Sequence, residues 1–141
     1  MITYKHIRPN NSESYYNECG TFAVEVPDKD TVMACDEPNI NVLSVQLGVA
    51  VLSDQDQFNK SIGRKVAKGR MEQLFLTYQG EFGNDIRMVK QFVGSIVNPR
   101  TKQTEQLVLL LSVSPLSKWV KLENVVMMQT PTSFDEEGLL F

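Results

Sequence analysis

The side chains best suited to chemistry lie between Ser53 and Met71, read as SDQDQFNKSIGRKVAKGRM. Ser53, Asp54 and Asp56 open the segment with hydrogen-bond acceptors. Lys60, Arg64, Lys65, Lys68 and Arg70 follow, with no acid until Glu72. The whole chain has a formal charge of -3, so everything outside this segment is distinctly acidic. A cationic stretch on an acidic protein favours one discrete bound anion over a long polyanion, because coating nucleic acid takes a domain pI above about 9. Arginine offers a planar fork that matches phosphate oxygens in pairs, and lysine offers a point charge. Backbone N–H groups at a helix start attract anions, but Asp54 and Asp56 repel them there. The candidate ligand-binding residues are therefore Lys60, Arg64, Lys68 and Arg70, along the helix and at its end. The competing reading is a solvated cationic face balanced by acids elsewhere. The segment has no G-x-x-x-x-G-K-[ST] arrangement and is not a P-loop.

Other constellations point less sharply. Asn98 and Arg100 flank Pro99 in a polar turn, which can present an amide and a guanidinium to the same ligand or be an ordinary turn. Asp54 and Asp56 suit helix capping better than metal binding, since no histidine is near. Phe75, Tyr78, Phe82 and Phe92 read as core. Tyr15 and Tyr16 sit in a polar loop and are better placed to stack on a base, worth about 1–3 kcal/mol. His6 is the one histidine, and Cys19 and Cys35 have no motif around them, so nucleophilic catalysis and a zinc site have no support. The expectation is a binding protein with no enzymatic activity, cofactor or metal.

These groups must be positioned by one domain over residues 1–141, a length that buries roughly two thirds of the unfolded surface. Charged residues make up 22% and apolar residues 42%, as in a soluble globular protein. No signal-peptide pattern opens the sequence and no stretch is long and apolar enough to span a bilayer, which predicts no membrane partner and two reduced thiols. Met1–Ile7 reads as a strand or arm, and Arg8–Gly20 as a loop. Thr21–Val26 alternates, and Thr31–Cys35 is its expected hairpin partner after a turn at Pro27–Asp30. Asn41–Leu52 is the clearest strand. Leu43, Val45, Leu47, Val49 and Val51 line one face. Ser44, Gln46, Gly48 and Ala50 leave the other small and polar, so another element or a ligand can lie close above it.

The period then changes from 2 to 3.6. Ser53 and Asp56 resemble a capping box. Phe58, Ile62 and Val66 predict a narrow buried stripe, with Lys60, Arg64 and Lys68 roughly opposite. Gly63 and Gly69 each cost about 1 kcal/mol in a helix, which points to close approach by a neighbour, or, for Gly69, to the helix end. Asn84 is expected to cap a second helix, with Ile86, Val89 and Val93 as its apolar stripe, ending near Gly94. Gln106–Val113 reads as a central strand and Lys118–Met128 as the last one. Residues 130–138 read as a flexible acidic tail before Leu139, Leu140 and Phe141. The fold class expected is α+β. A mainly antiparallel twisted sheet packs against one long helix, Asp54–Phe75, and one shorter helix, Asn84–Gly94.

The segment Asp56–Arg70, DQFNKSIGRKVAKGR, resembles a pattern in small phage-encoded proteins. There a strand runs into a helix beginning D-x-F and carrying G-R-x-x-A-x-G-R. The pattern is most similar to the anti-Thoeris sponge proteins, which sequester cyclic ADP-ribose isomers. The resemblance implies a non-enzymatic homo-oligomer in the cytoplasm of an infected bacterial host. It would hold a phosphorylated cyclic nucleotide between protomers and so counter host defence. Arg64 and Arg70 would meet phosphates, Phe58 would anchor the helix, and an aromatic would meet the adenine. No arginine follows Arg100, so Lys118 or Lys121 would replace a late phosphate-binding arginine. The alternative is an inhibitor or adaptor that binds a host protein through an acidic and apolar surface.

Overall fold

Alternating apolar residues produce seven strands: β1 (Ile2–Ile7), β2 (Gly20–Glu25), β3 (Val42–Val51), β4 (Glu72–Gly83), β5 (Met88–Val97), β6 (Thr104–Val113) and β7 (Lys121–Gln129). They form one antiparallel sheet in sequence order. The computed structural model describes residues 1–7, 20–35, 41–52 and 59–129. The expectations for Tyr15, Tyr16, Cys19, Ser53, Asp54, Asp56, Phe58 and the 130–138 tail lie outside those residues. β1 and β7, the two ends of the meander, approach each other without pairing, so the sheet curls almost into a barrel.

The concave face is the core. Phe22 and Val24 of β2 meet Leu43, Val45, Leu47 and Val49 of β3. Leu76, Phe92, Leu107, Leu109, Leu111, Val125 and Met127 complete it from the later strands. Each such side chain stabilises the fold by about 1.5–3 kcal/mol through its removal from water. The expected antiparallel sheet and its strands at Thr21–Val26, Asn41–Leu52, Gln106–Val113 and Lys118–Met128 are present, with ends displaced by a few residues.

The helices differ from expectation. Thr31–Cys35 belongs to no hairpin; α1 (Lys29–Ala34) stands there instead. Asp28 caps it by accepting from the Thr31 N–H at 2.8 Å, and these hydrogen bonds hold the Asp28 carboxyl below the ordinary aspartate range. Lys29 Nζ donates to the carbonyls of Ser114 (2.9 Å) and Ser117 (2.8 Å), fastening α1 to the β6–β7 loop. Cys35 is buried, with Sγ 3.3 Å from the Thr31 carbonyl.

The helix expected over Asn84–Gly94 is a tight turn followed by β5. Asn84 Oδ1 accepts from the N–H groups of Ile86 (2.9 Å) and Arg87 (3.1 Å), and the Asn84 N–H donates to the Arg87 carbonyl. An asparagine that can cap a helix can equally close a turn, because both use the same side-chain acceptor. The alternation in β5 is disguised, since its inward positions include Lys90 and Gly94 beside Met88, Phe92 and Ile96.

The long helix expected over Asp54–Phe75 is described as α2 (Lys60–Gly69), capped by Asn59, whose Oδ1 accepts from the Ile62 N–H at 3.0 Å. Gly69 ends it, and Glu72–Phe75 already belongs to β4. The small face of β3 receives α2, as its composition allows: a Cβ on Gly48 would fall on the Ala67 carbonyl and 2.8 Å from the Met71 nitrogen. The expected buried stripe is rotated. Ala67 and Gly63 press on the sheet, while Ile62 is 60% exposed and Val66 half-buried.

Candidate functional site

Because small residues bring α2 close to the sheet, its larger side chains are pushed sideways and become the wall of a cleft. The cleft has a volume of about 460 Å³, within the size range of small-molecule sites. Its sheet side is Gly20, Thr21, Ala50, Val51 and Leu52, at the adjoining ends of β2 and β3. Its helix side is Asn59, Ile62, Gly63, Val66 and Arg70.

Thr21 is buried, and its Oγ1 is hydrogen-bonded to His6 Nδ1 at 2.9 Å. A Cβ on Gly63 would collide with that same hydroxyl. The one histidine of the chain thus fixes a hydroxyl at the cleft floor. Arg70, just past the end of α2, donates from Nη1 to the Val49 carbonyl at 3.3 Å. This anchor orients a guanidinium that carries five N–H donors in total.

Arg70 also lines a second cleft of about 360 Å³. Its other walls include Gly48, Gly69, Met71 and Glu72 around the α2–β4 link, Val97, and Pro99 and Lys102 of the β5–β6 turn. The two clefts therefore share one cation at the end of α2. Together they offer apolar walls, a hydroxyl, an amide and a guanidinium at one end of the barrel, which suits a flat, partly apolar ligand with an anionic group.

The structure separates the predicted site residues. Arg70 lines both clefts. Lys60, Arg64 and Lys68 are exposed and line neither, because the glycine–alanine side of α2 faces the sheet and turns them outward. Asn98 is buried. Its Nδ2 donates to Glu105 Oε2 at 3.1 Å, and its Oδ1 accepts from the N–H groups of Arg100 (2.9 Å) and Thr101 (3.3 Å). It builds the turn from inside. That turn carries Lys102, at φ 65, to the rim of the second cleft, while Arg100 is exposed and lines neither cleft.

Thr21, Asn59, Ile62 and Val66 were not legible as site residues. Gly63 was the available signal, since a helix-interior glycine marks close approach. Among the described residues no group of three or more His, Cys, Asp or Glu side chains could hold a metal ion, and no helix is long and apolar enough to cross a membrane.

A different polar cluster lies inside the other end of the barrel. Lys90 is fully buried; its Nζ lies 3.2 Å from Glu81 Oε1 and 5.0 Å from the centre of the Tyr78 ring. Tyr78 donates its hydroxyl to the same Glu81 oxygen at 2.7 Å. A bulge in β4 between Tyr78 and Gly80 brings Glu81 opposite Lys90. The pair is buried on its lysine side and part-exposed at Glu81. Comparison of the chain with protein-family models, with curated proteins and with solved structures found no match.

Proposed function

We propose that the protein is a non-catalytic binding protein that sequesters a small phosphorylated nucleotide, of the cyclic kind that serves as an immune signal, in the cleft beside α2. The observation that carries the reading is Arg70. Arg70, its guanidinium anchored to the Val49 carbonyl, is a lining residue of both clefts. A phosphate placed there would meet charge-assisted donors. A base or sugar would then lie against Ile62, Val66 and Leu52, within reach of Thr21 and Asn59. The sponge resemblance of Asp56–Arg70 supports the same reading, with Arg70 in place of the helix face as the phosphate contact. On this reading the protein acts in the cytoplasm of an infected bacterium, against host defence.

The test is calorimetric titration with a panel of cyclic and linear adenine nucleotides. Arg70→Ala is expected to weaken binding by about 10- to 100-fold, as loss of hydrogen bonds to a charged group does. Arg64→Ala and Lys68→Ala are expected to change it by no more than about 2-fold, since they line neither cleft and act on the ligand only across screening solvent. If Arg64→Ala does the damage and Arg70→Ala does none, the ligand lies on the helix face and the cleft assignment fails. If no nucleotide in the panel binds, the nucleotide reading fails.

A second reading, an adaptor or inhibitor that binds a host protein, is favoured by the opposite end of the barrel. There Phe82 and Ile86 of the β4–β5 hairpin and Leu116 and Trp119 of the β6–β7 loop are exposed, Leu116 by 93%. Clustered exposed apolar side chains mark interaction surfaces. Here a stoichiometric partner is expected in pull-downs from host lysate, lost on combining Leu116→Glu with Trp119→Ser. Retention of the partner by that double variant would remove this surface from consideration.

A further inference from the structure

The outward face of β4–β7 holds no charged residue through the middle of the strands. At its centre Val93, Val108 and Val126 lie side by side across β5, β6 and β7, with Leu110 and Met128 beside them. Phe75 of β4 extends the patch and is 66% exposed. The remaining positions are small or carry amides (Gln73, Gln91, Gln106 and Asn124), apart from the exposed Phe82 and Val97 and the buried Val89 towards the strand ends. No described helix covers this face, because α2 packs on β2 and β3 and α1 is tied to the β6–β7 loop. Charges of both signs appear only at its margins. The Arg87–Glu123 ion pair and Lys121 stand at one end of the strands, and Glu72 and Lys102 at the other. An uncharged centre with a charged rim is the composition of a protein interface.

We infer that this face is a two-fold interface between two copies of this chain. A face that meets its own copy must be self-complementary. A charge near its centre would meet a like charge, and the face has none. An amide is donor and acceptor at once, so each Gln or Asn can pair with its counterpart. Over the rest of the surface the net charge of -3 opposes self-association. Edge-to-edge pairing is disfavoured, because β1 and β7 shield each other where the barrel nearly closes.

Four strands at about 4.8 Å spacing make the patch about 19 Å wide. That places it towards the small end of specific interfaces, and because area alone does not fix affinity, association is tested over a wide concentration range. The face lies across the barrel from α2, given the strand order, so the dimer leaves both clefts open. Each copy would then bind ligand by itself, with no pocket between protomers.

Sedimentation equilibrium of the full chain from about 1 to 200 μM tests this. The wild type is expected to shift from the 16.0 kDa monomer towards twice that mass. Val108→Lys is expected to remain monomeric throughout with an unchanged melting temperature. Gln106→Lys, a milder change on the same face, is expected to weaken association at least 10-fold. Lys60→Glu, on α2, is expected to leave it unaltered. A wild type that stays monomeric at about 200 μM would overturn the inference, whether the face is bare or covered by the chain's own tail. So would undiminished dimerisation of folded Val108→Lys and Gln106→Lys.

Discussion

Gly48→Ala is expected to lower the melting temperature by about 2–12 °C, while Gly69→Ala leaves it unchanged or raises it slightly. Both substitutions add one methyl group, so the difference isolates where the space is. At Gly48 the new carbon would meet the Ala67 carbonyl and sit 2.8 Å from the Met71 nitrogen and 2.9 Å from the Arg70 carbonyl carbon. These are backbone atoms and cannot rotate away. Relief requires α2 to lift from β3, and forced overpacking of this kind costs about 1–3 kcal/mol. For a chain of this length 1 kcal/mol corresponds to about 2–4 °C. At Gly69 nothing lies within 4 Å, so helix propensity dominates and favours alanine by up to about 1 kcal/mol. Because α2 is one wall of the clefts, Gly48→Ala should also weaken ligand binding, which a titration at a temperature below both melting points would register. Equal melting temperatures for the two variants would show that α2 does not rest on Gly48.

Glu81→Ala is expected to destabilise the fold by about 2–4 kcal/mol, and Lys90→Met by less than about 1 kcal/mol, in chemical denaturation. Removing Glu81 takes away an acceptor that the buried Lys90 ammonium and the Tyr78 hydroxyl share. Breaking a buried pair from one side costs about 3–5 kcal/mol. The lower figure reflects Glu81, which is 34% exposed and marks a route by which water can reach the pair. Removing Lys90 is milder for two reasons. Methionine fills nearly the same volume, and the carboxylate left behind is close enough to solvent to hydrate while still accepting from Tyr78. If Lys90→Met proves the worse of the two, the ion pair is a net stabiliser and not a tolerated charge.

β2, β3, β6 and β7 were legible because period-2 alternation writes burial directly into the sequence, most clearly in Leu43–Val51, where every second residue faces the core. β5 was hidden because a core position is held by Lys90, whose burial depends on Glu81 and Tyr78 arriving from another strand through a bulge. α1 was hidden because Asp28 and Thr31 form either a turn or a cap with the same hydrogen bond. Of the cationic residues, sequence spacing marks Lys60, Arg64 and Lys68 as a stripe, but spacing alone does not orient a helix about its axis.

The sequence by itself determined the mainly antiparallel sheet and the cationic character of α2, and it marked Gly63 and the small face of β3 as places of close approach. Those follow from local periodicity and side-chain size. Only the tertiary structure decided which side of α2 faces inward, and hence that Arg70 lines the clefts while the equally exposed Lys60, Arg64 and Lys68 do not. That choice is made by the fit of Ala67 over Gly48 and of Gly63 over Thr21. It brings together residues far apart in the chain, and no local pattern carries information about their contact.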